Sequence, residues 1–510
     1  MTKRHKHLIF YRMLLVIGIP TVYFACISLS GFFKVKSTEL DPEIFGKNEI
    51  RLRKLMQVEE PEVNRSNQCI APAIDEFPSD GFTAEQRRSG FIVIHIVLAI
   101  YLFLLLAVVC DDFFVPSITK ICEKLNVSED VAGATFMAAA SSSPELFINV
   151  VGTFVTQGDI GIGTIVGSAV FNILAVPACC GLFASQALEL DWWPVSRDSL
   201  AYAITVGLLI LVFRDGRVEW YEGLILVITY VLYILTMYFN KRISKCMGSM
   251  VSKRKEYKNL DNSSLLPKHF ENGKVNSFEP IEDEDLEIVN LTNWPNSFWE
   301  KLWWMLTWPI NFVLLITIPD CRRKSLKSWY PVTFLMCIVW IASMSFVVGW
   351  DITIIGDTLE IPDSVMGLTF LAAGMSVPEA VSSVIVTNQV NLKIFNESSG
   401  HGTMGISNSI GSNVFDILLC LGLPWFIKAA FVPKNPGLHY VQINSEGLVY
   451  SSISLFSTLI LLYVAFACNK FRLDRKVGFT CLFMYACFLV IASLTELNVF
   501  FQVNLPTCVH

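Results

Sequence analysis

Long runs of apolar residues, separated by short polar stretches, dominate the chain. In the first half such runs lie at roughly 89–111, 128–156, 160–187, 196–214 and 219–240. In the second half they lie near 303–318, 330–349, 363–390, 403–428, 447–468 and 477–498. Because about 20 apolar residues in a helix span the hydrocarbon core of a bilayer, most of these runs are predicted to be membrane-spanning helices.

The composition supports this assignment to a polytopic membrane protein. The chain has 510 residues and is 53% hydrophobic and only 16% charged, which lies outside the usual range of soluble domains. The net charge of -6 has little bearing on orientation, which depends on where Lys and Arg lie. The 14 cysteines lie mostly in apolar runs without zinc-site spacing, so we interpret most of them as small buried hydrophobic residues.

Polar segments divide the chain into regions. The order basic, apolar, polar at the N-terminus fits either a cleavable signal peptide or a signal anchor. The polar stretch 241–300, with its acidic run "EPIEDEDLE", is interpreted as a solvated linker. The predicted regions are the signal segment at 1–33, an extracellular N-terminal segment at 34–88, a first transmembrane repeat at 89–240, a cytosolic loop with an interfacial segment at 241–329, a second transmembrane repeat at 330–498 and an extracellular tail at 499–510.

A sequence repeat relates the two halves. "VAGATFMAAASSSPE" from Val131 aligns with "VMGLTFLAAGMSVPE" from Val365, and "GIGTIVGSAVFNIL" from Gly161 aligns with "GISNSIGSNVFDIL" from Gly405. Matching Pro-interrupted segments in two halves are typical of transporters whose binding site lies between structural repeats. A duplicated helix-packing motif is the alternative, but it explains the small residues and not the two carboxylates.

The orientation of the repeats depends on whether 303–318 crosses the membrane. The basic stretches "SKRKEYK" before it and "CRRKSLK" after it both favour the cytosol. Its Trp-rich start, "WEKLWWMLTW", suits an interfacial helix, so the segment is predicted not to cross. The predicted fold class is therefore an all-α polytopic membrane protein with about ten transmembrane helices in two inverted five-helix repeats, preceded by the signal segment.

Each repeat places a glutamate directly after a proline within an apolar run, at Glu145 and Glu379. A charged side chain at the bilayer centre costs about 2.5–3.5 kcal/mol on insertion scales, so it normally faces a partner, water or an ion path. Proline cannot donate a hydrogen bond to the carbonyl four residues earlier, which predicts free carbonyls at Ala140 and Gly374. A cation can bind such carbonyls, and a buried hydrogen-bonded glutamate pair is the structural alternative.

Further oxygen-bearing side chains accompany the two glutamates. Asn172 and Asp416 occupy equivalent repeat positions, so the candidate site contains three carboxylates. Hard oxygen ligands, with no thiolate or imidazole at these positions, favour calcium, sodium or potassium over zinc or copper. The candidate hydroxyl ligands are Ser141, Ser142, Ser168, Ser376 and Ser412.

These motifs resemble the alpha repeats of the calcium/cation antiporter superfamily, and in particular the potassium-dependent sodium/calcium exchangers. The resemblance is carried by "DVAGATFMAA", "SSPELF", "GTIVGSAVFNIL", "WYEG", "LEIPDSVMGLTFLAAG" and "GSNVFDILLCLGLPWF", and it covers most of the chain from about Phe91 onward, apart from the long loop. It implies that Glu145 and Glu379 bind calcium and, in alternation, sodium. It also implies that the serines complete the ion sites, with the backbone carbonyls of Ala138 and Ala372 as further candidate ligands.

The resemblance also implies potassium co-transport, because the potassium-independent branch usually has an uncharged residue at the position of Asp416. Two other positions depart from the family pattern. Glu379 stands where this branch usually has Asp, and the extra methylene is expected to shift the ion centre. Met375 stands where a Thr or Ser hydroxyl is usual, and its thioether is a poor ligand for hard cations. We therefore expect altered sodium affinity or stoichiometry.

The expected function is secondary active antiport that exchanges sodium for calcium plus potassium by alternating access. A potassium-independent or proton-coupled exchanger and a transport-impaired homologue are the alternatives. An intramembrane aspartyl protease needs two aspartates that share a proton, and Asn172 stands at the position equivalent to Asp416. A nonconducting receptor or scaffold would leave the duplicated ion ligands unexplained.

The expected partners are inorganic cations and the lipid bilayer. We expect no catalytic residues, no resident cofactor and no nucleic-acid partner; calcium, sodium and potassium are the transported ions. The plasma membrane is the expected location, and a secretory or pigment-type organelle membrane is the alternative. Cys69 and Cys508 are both extracellular in this topology, where either a disulfide between them or two free thiols in the tails fits. The oligomeric state is left open.

Overall fold

A computed structural model provides the structure of this chain. It describes residues 73–125, 135–136, 138–156, 158–183, 188–190, 192–239, 298–393, 402–432, 439–443, 445, 447–500 and 503–504. Most of these residues are helical, which confirms the predicted all-α class. The predictions on the signal segment, on Cys69 and Cys508, and on most of the 241–329 loop lie outside the described residues.

The helices follow the predicted apolar runs closely. We label the main helices α1 (Ala84–Cys122), α2 (Ser143–Val151), α3 (Ile160–Phe183), α4 (Trp192–Phe213), α5 (Trp220–Tyr238), α6 (Phe298–Thr317), α7 (Tyr330–Leu359), α8 (Ala372–Lys393), α9 (Gly402–Phe415), α10 (Gly447–Cys468) and α11 (Arg475–Glu496). Shorter helical pieces are Ala73–Glu76, Ala138–Ser141, Gly152–Thr156, Lys324–Trp329, Asp363–Met366, Gly367–Leu371, Asp416–Leu421 and Gly422–Phe431.

Nine helical stretches in the described part of the chain are long and apolar enough to cross a membrane. The helix α2 is not among them, because an interruption at Ser142 separates it from Ala138–Ser141 and leaves it short. With α2 included, five crossing segments lie before the long loop and five after it. This arrangement agrees with the predicted two sets of five.

The helix α6 also lies outside these nine candidates. It begins with the predicted Trp-rich turn and contains Pro309. Its buried side chains Ile310 and Leu314 belong to the apolar cluster that also contains Leu102 and Ile341. This hydrophobic contact fixes α6 against α1 and α7 and leaves its interfacial position a prediction.

Four short strands show how the two repeats are oriented. They are β1 (Leu188–Glu189), β2 (Arg217–Glu219), β3 (Tyr440–Gln442) and β4 (Arg472–Leu473), and β1 pairs with β4 whereas β2 pairs with β3. Because α4 and α10 cross the membrane, the connections at their two ends lie on opposite faces. The α3–α4 connection therefore shares a face with the α10–α11 connection, as it would not in parallel repeats. The repeats are inverted, as predicted.

Helix packing follows the same crosswise scheme. The helix α5 of the first repeat packs on Gly422–Phe431 of the second, and α11 of the second repeat packs on the end of α3. Glycine permits the first of these close approaches: a Cβ atom added at Gly223 would lie 2.8 Å from the backbone nitrogen of Phe426. Each repeat thus covers the core helices of the other.

The helices that contain the repeated sequences, α2, α3, α8 and α9, form the centre of the molecule. The helices α1 and α7 pack together at the periphery. Of the candidate spans, α3 is the most buried, followed by those that contain α8 and α9. His95 on α1 and Asp351 on α7 are joined by a buried Nδ1···Oδ1 contact of 2.6 Å. The rings of Phe114 and Phe334 stack with their centroids 5.3 Å apart. These contacts join the first helix of one repeat to the first helix of the other.

Candidate ion-binding site

The two motif glutamates are presented in different ways. The helix α2 begins one residue after the interruption at Ser142 and has Pro144 in its first turn, where proline is tolerated because the first-turn N–H groups have no partner within the helix. Glu145 lies in the same turn and is 2% exposed. In the second repeat Pro378 lies inside the continuous helix α8, directly before Glu379.

The prediction that the Ala140 carbonyl is free is wrong. The hydroxyl of Ser143 donates a hydrogen bond to it at 3.1 Å. The serine side chain therefore replaces the backbone N–H that Pro144 lacks. The Ala140 carbonyl keeps its second lone pair, so it is partly engaged rather than fully free.

Three carboxylates meet at the junction of the two repeats. Glu145 interacts electrostatically with Asp416 and with Glu379, and Asp416 is 1% exposed. Glu379 is partly exposed and interacts through its side chain with Ser141, Asn172 and Ser412. The structure thus brings together acidic residues that are far apart in sequence and that the repeat placed at equivalent depth.

Several buried oxygens at this junction have no hydrogen-bond partner among the described residues. They are Oε2 of Glu145, Oδ1 of Asn172 and Oγ of Ser376. A buried polar atom without a partner is costly, and native structures contain few of them. Both repeats contribute to these oxygens, so each repeat leaves at least one motif oxygen that a cation could bind.

The remaining predicted ligands differ in how far they are already engaged. Ser168 and Ser412 donate to carbonyls of their own helices, which leaves the lone pairs of their hydroxyl oxygens available. The carbonyl of Ala138 accepts two hydrogen bonds, from the N–H of Ser142 at 3.0 Å and the hydroxyl of Ser141 at 3.2 Å. Its two lone pairs are therefore occupied in this conformation. Ser142 itself interacts with Asp416.

The helices α3 and α8 cross at very short distance beside the site. A Cβ atom added at Gly167 would lie 2.2 Å from the carbonyl oxygen of Leu368 and 2.6 Å from the Cβ of Ala372. Ala372, a predicted backbone ligand, is buried in this contact. Since Ser168 directly follows Gly167, the close crossing positions a candidate ligand of the first repeat against the second.

The electrostatics of the junction are one-sided. Glu145 interacts with Asp416 and Glu379, and Glu379 also interacts with Asp111 of α1, so carboxylates act on one another here. No three His, Cys, Asp or Glu side chains within the described chain already converge on one metal position. The residues therefore offer a negative, oxygen-rich site in which ion binding would draw the carboxylates closer together.

The chain also matches a known protein family. Residues 95–239 and 329–494 match the family model described as Sodium/calcium exchanger protein, and together they make up more than half of the chain. The chain belongs to this family. The matched ranges contain both copies of the repeat and all eleven predicted site residues.

Related proteins share most of the length of this family member. Human sodium/potassium/calcium exchanger 3 is 37% identical over 617 aligned positions, which cover 94% of each chain. Human sodium/potassium/calcium exchanger 4 is 39% identical, with 86% of this chain and 87% of that one covered. A solved structure of the sodium–calcium exchanger NCX_Mj, soaked with zero sodium and calcium, is 21% identical and covers 79% of this chain and 99% of that chain, with a TM-score of 0.42.

Sequence reasoning missed an amide network that links α3 of the first repeat to α9 of the second. The side-chain nitrogen of Asn172 donates to Oδ1 of Asn413 at 3.1 Å, and Asn413 in turn donates to the carbonyl of Ala169 at 3.1 Å. The hydroxyl of Ser409 donates to the carbonyl of Asn172 at 2.9 Å. Asn413 lies in the quoted motif "GSNVFD", but its repeat equivalent is Ala169, so the duplication did not single it out.

Sequence reasoning also missed a thiol beside the carboxylates. Sγ of Cys420 lies 3.8 Å from Oδ1 of Asp416, and Cys420 is fully buried. The sequence analysis expected hard oxygen ligands alone, whereas the structure places a sulfur atom next to the carboxylate of Asp416. Asn149, one turn beyond Glu145, donates to the carbonyl of Cys420 at 2.5 Å and holds this segment against α2.

Proposed function

We propose that this chain is a secondary active antiporter that exchanges sodium for calcium plus potassium. One observation carries the proposal: Glu145, Glu379 and Asp416 come from both repeats and interact with one another at the junction of the repeats. Uncompensated carboxylates are costly inside a bilayer, so such a junction is stable when cations bind or when it faces water. The names of the related sodium/potassium/calcium exchangers support this set of ions.

Charge matching supports calcium and potassium as a combined load. The three carboxylates, when ionised, carry three negative charges, and one calcium ion with one potassium ion carries the same number of positive charges. Asp416 supplies the third charge, where the equivalent Asn172 is neutral. Sodium would bind the same oxygens in the opposite half of the cycle, so competition for one site would make transport an exchange.

The proposed ligands differ in how strongly the structure supports them. The carboxylates of Glu145, Glu379 and Asp416 and the amide oxygen of Asn172 are the central ones, because of the contacts and unpartnered oxygens described above. The carbonyl of Ala138 would become available only after its two hydrogen bonds rearrange. The remaining proposed ligands are the hydroxyls of Ser141, Ser142, Ser168, Ser376 and Ser412 and the carbonyl of Ala372.

Alternating access would come from movement of the peripheral helices across the fixed centre. The His95–Asp351 contact joins α1 to α7, so we expect these helices to move as one unit. The ring of Phe103 on α1 packs directly on Gly374 of α8, since a Cβ atom there would lie 2.4 Å from it. A sliding α1 would therefore change the contacts of the second motif helix directly.

The proposal includes the organisation and location of the chain. The segments 89–240 and 330–498 would form the two halves of one ion-exchange unit, with 241–329 in the cytosol and 34–88 and 499–510 outside. The chain is a multi-pass membrane protein, and the plasma membrane is its proposed location. Staining of intact and permeabilised cells with a tag placed in 241–297 would test both the side of the loop and the membrane of residence.

Ion-substitution flux measurements test the proposed function. Purified protein in proteoliposomes loaded with sodium should take up radioactive calcium, and uptake should require external potassium. We expect Glu145→Gln and Glu379→Gln each to reduce uptake at least about 100-fold, which corresponds to about 2.7 kcal/mol. Glu85→Gln is the matched control, because Glu85 is exposed near the start of α1. Undiminished uptake in Glu145→Gln would remove Glu145 from the mechanism, and potassium-independent uptake would favour the alternative exchanger.

A further inference from the structure

A buried histidine of α1 lies between two carboxylates. Nδ1 of His95 is 2.6 Å from Oδ1 of Asp351 on α7, and Nε2 of His95 is 3.3 Å from Oδ2 of Asp80. Asp80 belongs to residues 77–83, which directly precede α1 and which we call the leading segment. His95 is 6% exposed, and 7% of the Asp80 side chain is exposed. The imidazole therefore links the leading segment to α1 and α7.

Two facing atoms of this group lack a hydrogen-bond partner. Among the described residues, neither Nε2 of His95 nor Oδ2 of Asp80 has one, although both atoms are buried. A neutral imidazole carries a single N–H, and when it donates this hydrogen to Asp351 its Nε2 lone pair faces the Asp80 oxygen. Two lone pairs that face each other repel. A proton on Nε2 would turn this contact into a charge-assisted attraction.

The charged groups around this histidine also leave room for a positive charge. At the start of α1, Nε of Arg87 lies 3.8 Å from Oδ2 of Asp80, and its Nη1 lies 3.6 Å from Oδ2 of Asp357 on α7. Asp351 of α7 faces the other side of the imidazole. Three carboxylates thus share one guanidinium, so a proton on His95 brings the charges closer to balance.

The chain before α1 also contacts the centre of the molecule. The short helix Ala73–Glu76 packs on α7 and on Gly152–Thr156, which follows α2. The indole N–H of Trp350 on α7 donates to the carbonyl of Pro78 in the leading segment at 3.0 Å. The chain before α1 therefore reaches from the peripheral helices to the end of the first motif.

We propose that His95, Asp80 and Asp351 form a proton-binding site where the leading segment meets α1 and α7. The proton comes from the solvent and binds Nε2 of His95, so that the imidazolium donates to both carboxylates. The bound proton would hold α1 and α7 to a stretch of chain that rests on the centre of the molecule. Acidic solution would therefore slow alternating access. This effect on transport rests on the proposed function, whereas proton binding itself does not.

Nitrogen-15 solid-state NMR tests proton binding without transport. The chain has 7 histidines, and in the full-length protein labelled at histidine the ring signals that disappear in His95→Gln are those of His95. At about pH 7 both ring nitrogens of His95 should be protonated. In Asp80→Asn one of them should lose its proton at a pH lower by at least about one unit, because one carboxylate is neutralised. Glu76→Gln, at an exposed position before the leading segment, is the matched control and should behave as the wild type.

Flux measurements test the effect of the proton on movement. Protons that compete at the carboxylates of the ion site would raise the calcium concentration that gives half-maximal uptake, whereas a proton on His95 would lower the maximal rate. In proteoliposomes the maximal rate should rise at least about threefold between about pH 6.5 and about pH 8, because movement limits turnover. This rise should be lost in Asp80→Asn and kept in Glu76→Gln.

The two measurements separate this inference from the proposed function. A neutral His95 at about pH 7, or equal titration of His95 in the wild type and in Asp80→Asn, would overturn the proton site even if calcium exchange is normal. A pH-dependent maximal rate that persists in Asp80→Asn would overturn the restraint of α1 and α7. An Asp80-dependent His95 signal in a chain that transports no calcium would support the proton site and refute the proposed function.

Discussion

The two repeats share a helix plan but differ in the chemistry of their motif segments. In the first repeat the chain is interrupted at Ser142, whereas in the second repeat α8 continues through Pro378. The neutral Asn172 of the first repeat stands where the second repeat has Asp416, and Ser141 stands where it has Met375. The second repeat therefore contributes more charge and more sulfur, and the first contributes more hydroxyl groups.

This difference shows which part of the duplication the fold requires. The crosswise pairing of β1 with β4 and of β2 with β3 needs the two repeats to have the same helix order but does not need identical ligands. The proposed ion site at the junction would take one residue of each equivalent pair from each repeat, so the two members of a pair could differ. We infer that the inverted plan sets where the site lies, and that the unequal residues set which ions bind.

The largest expected effect comes from the helix crossing next to the site. In Gly167→Ala the new methyl group would lie 2.2 Å from the carbonyl oxygen of Leu368, and overpacking of this kind typically costs about 1–3 kcal/mol, occasionally more. At the equivalent Gly411, the described residues place only the hydroxyl of Tyr233 within 4 Å of an added Cβ, at 3.5 Å. We therefore expect Gly167→Ala to lower the Tm in detergent by several degrees, and Gly411→Ala to leave it almost unchanged.

Fluorescence-detected size-exclusion chromatography after heating measures both variants side by side. Gly411→Ala is the control for Gly167→Ala, because each variant adds one methyl group at the equivalent position of its repeat. Equal losses in the two variants would mean that the junction is symmetric at this level, which the close approach at Gly167 argues against.

A smaller but more specific effect is expected from the charge difference between Asn172 and Asp416, which occupy equivalent repeat positions. In Asp416→Asn the binding site loses one of its three carboxylates. The interaction of a unit charge with a monovalent cation at 4 Å is worth about 4 kcal/mol at an effective dielectric of about 20. Potassium stimulation of calcium uptake should therefore fall at least about tenfold, which needs only about 1.4 kcal/mol. Calcium uptake in proteoliposomes over a range of potassium concentrations provides the measurement.

The double variant Asn172→Asp with Asp416→Asn sharpens this test. It keeps the number of charges and moves one of them to the other repeat, so potassium dependence should return in part if the number of charges decides. Unchanged potassium stimulation in the single Asp416→Asn variant would show that this carboxylate takes no part in the potassium site.

The sequence predicts the architecture well because the bilayer imposes strong constraints. Apolar runs of sufficient length identify the crossing helices, and the basic stretches on both sides of α6 predict the inverted arrangement that the strand pairs confirm. The repeat also identifies Glu145 and Glu379 as a pair, because carboxylates at equivalent depth are rare and expensive. These are local or periodic signals that need no knowledge of tertiary contacts.

The features that sequence reasoning missed all depend on packing between the repeats. Asn413 and Cys420 have apolar equivalents in the first repeat, and their roles follow from contacts with Asn172 and with Ser142 across the junction. The Ser143 hydroxyl that engages the Ala140 carbonyl depends on local chain geometry at the interruption. No repeat or periodic pattern in one sequence reports such distances.

The most direct measurement is an electron-density or cryo-electron-microscopy map of the full-length chain in calcium and potassium. We expect an ion at the junction of the repeats, with carboxylate oxygens of Glu145 and Glu379 at about 2.3–2.6 Å from calcium. A map in which these carboxylates remain apart, with calcium bound elsewhere or absent although exchange is active, would contradict this expectation.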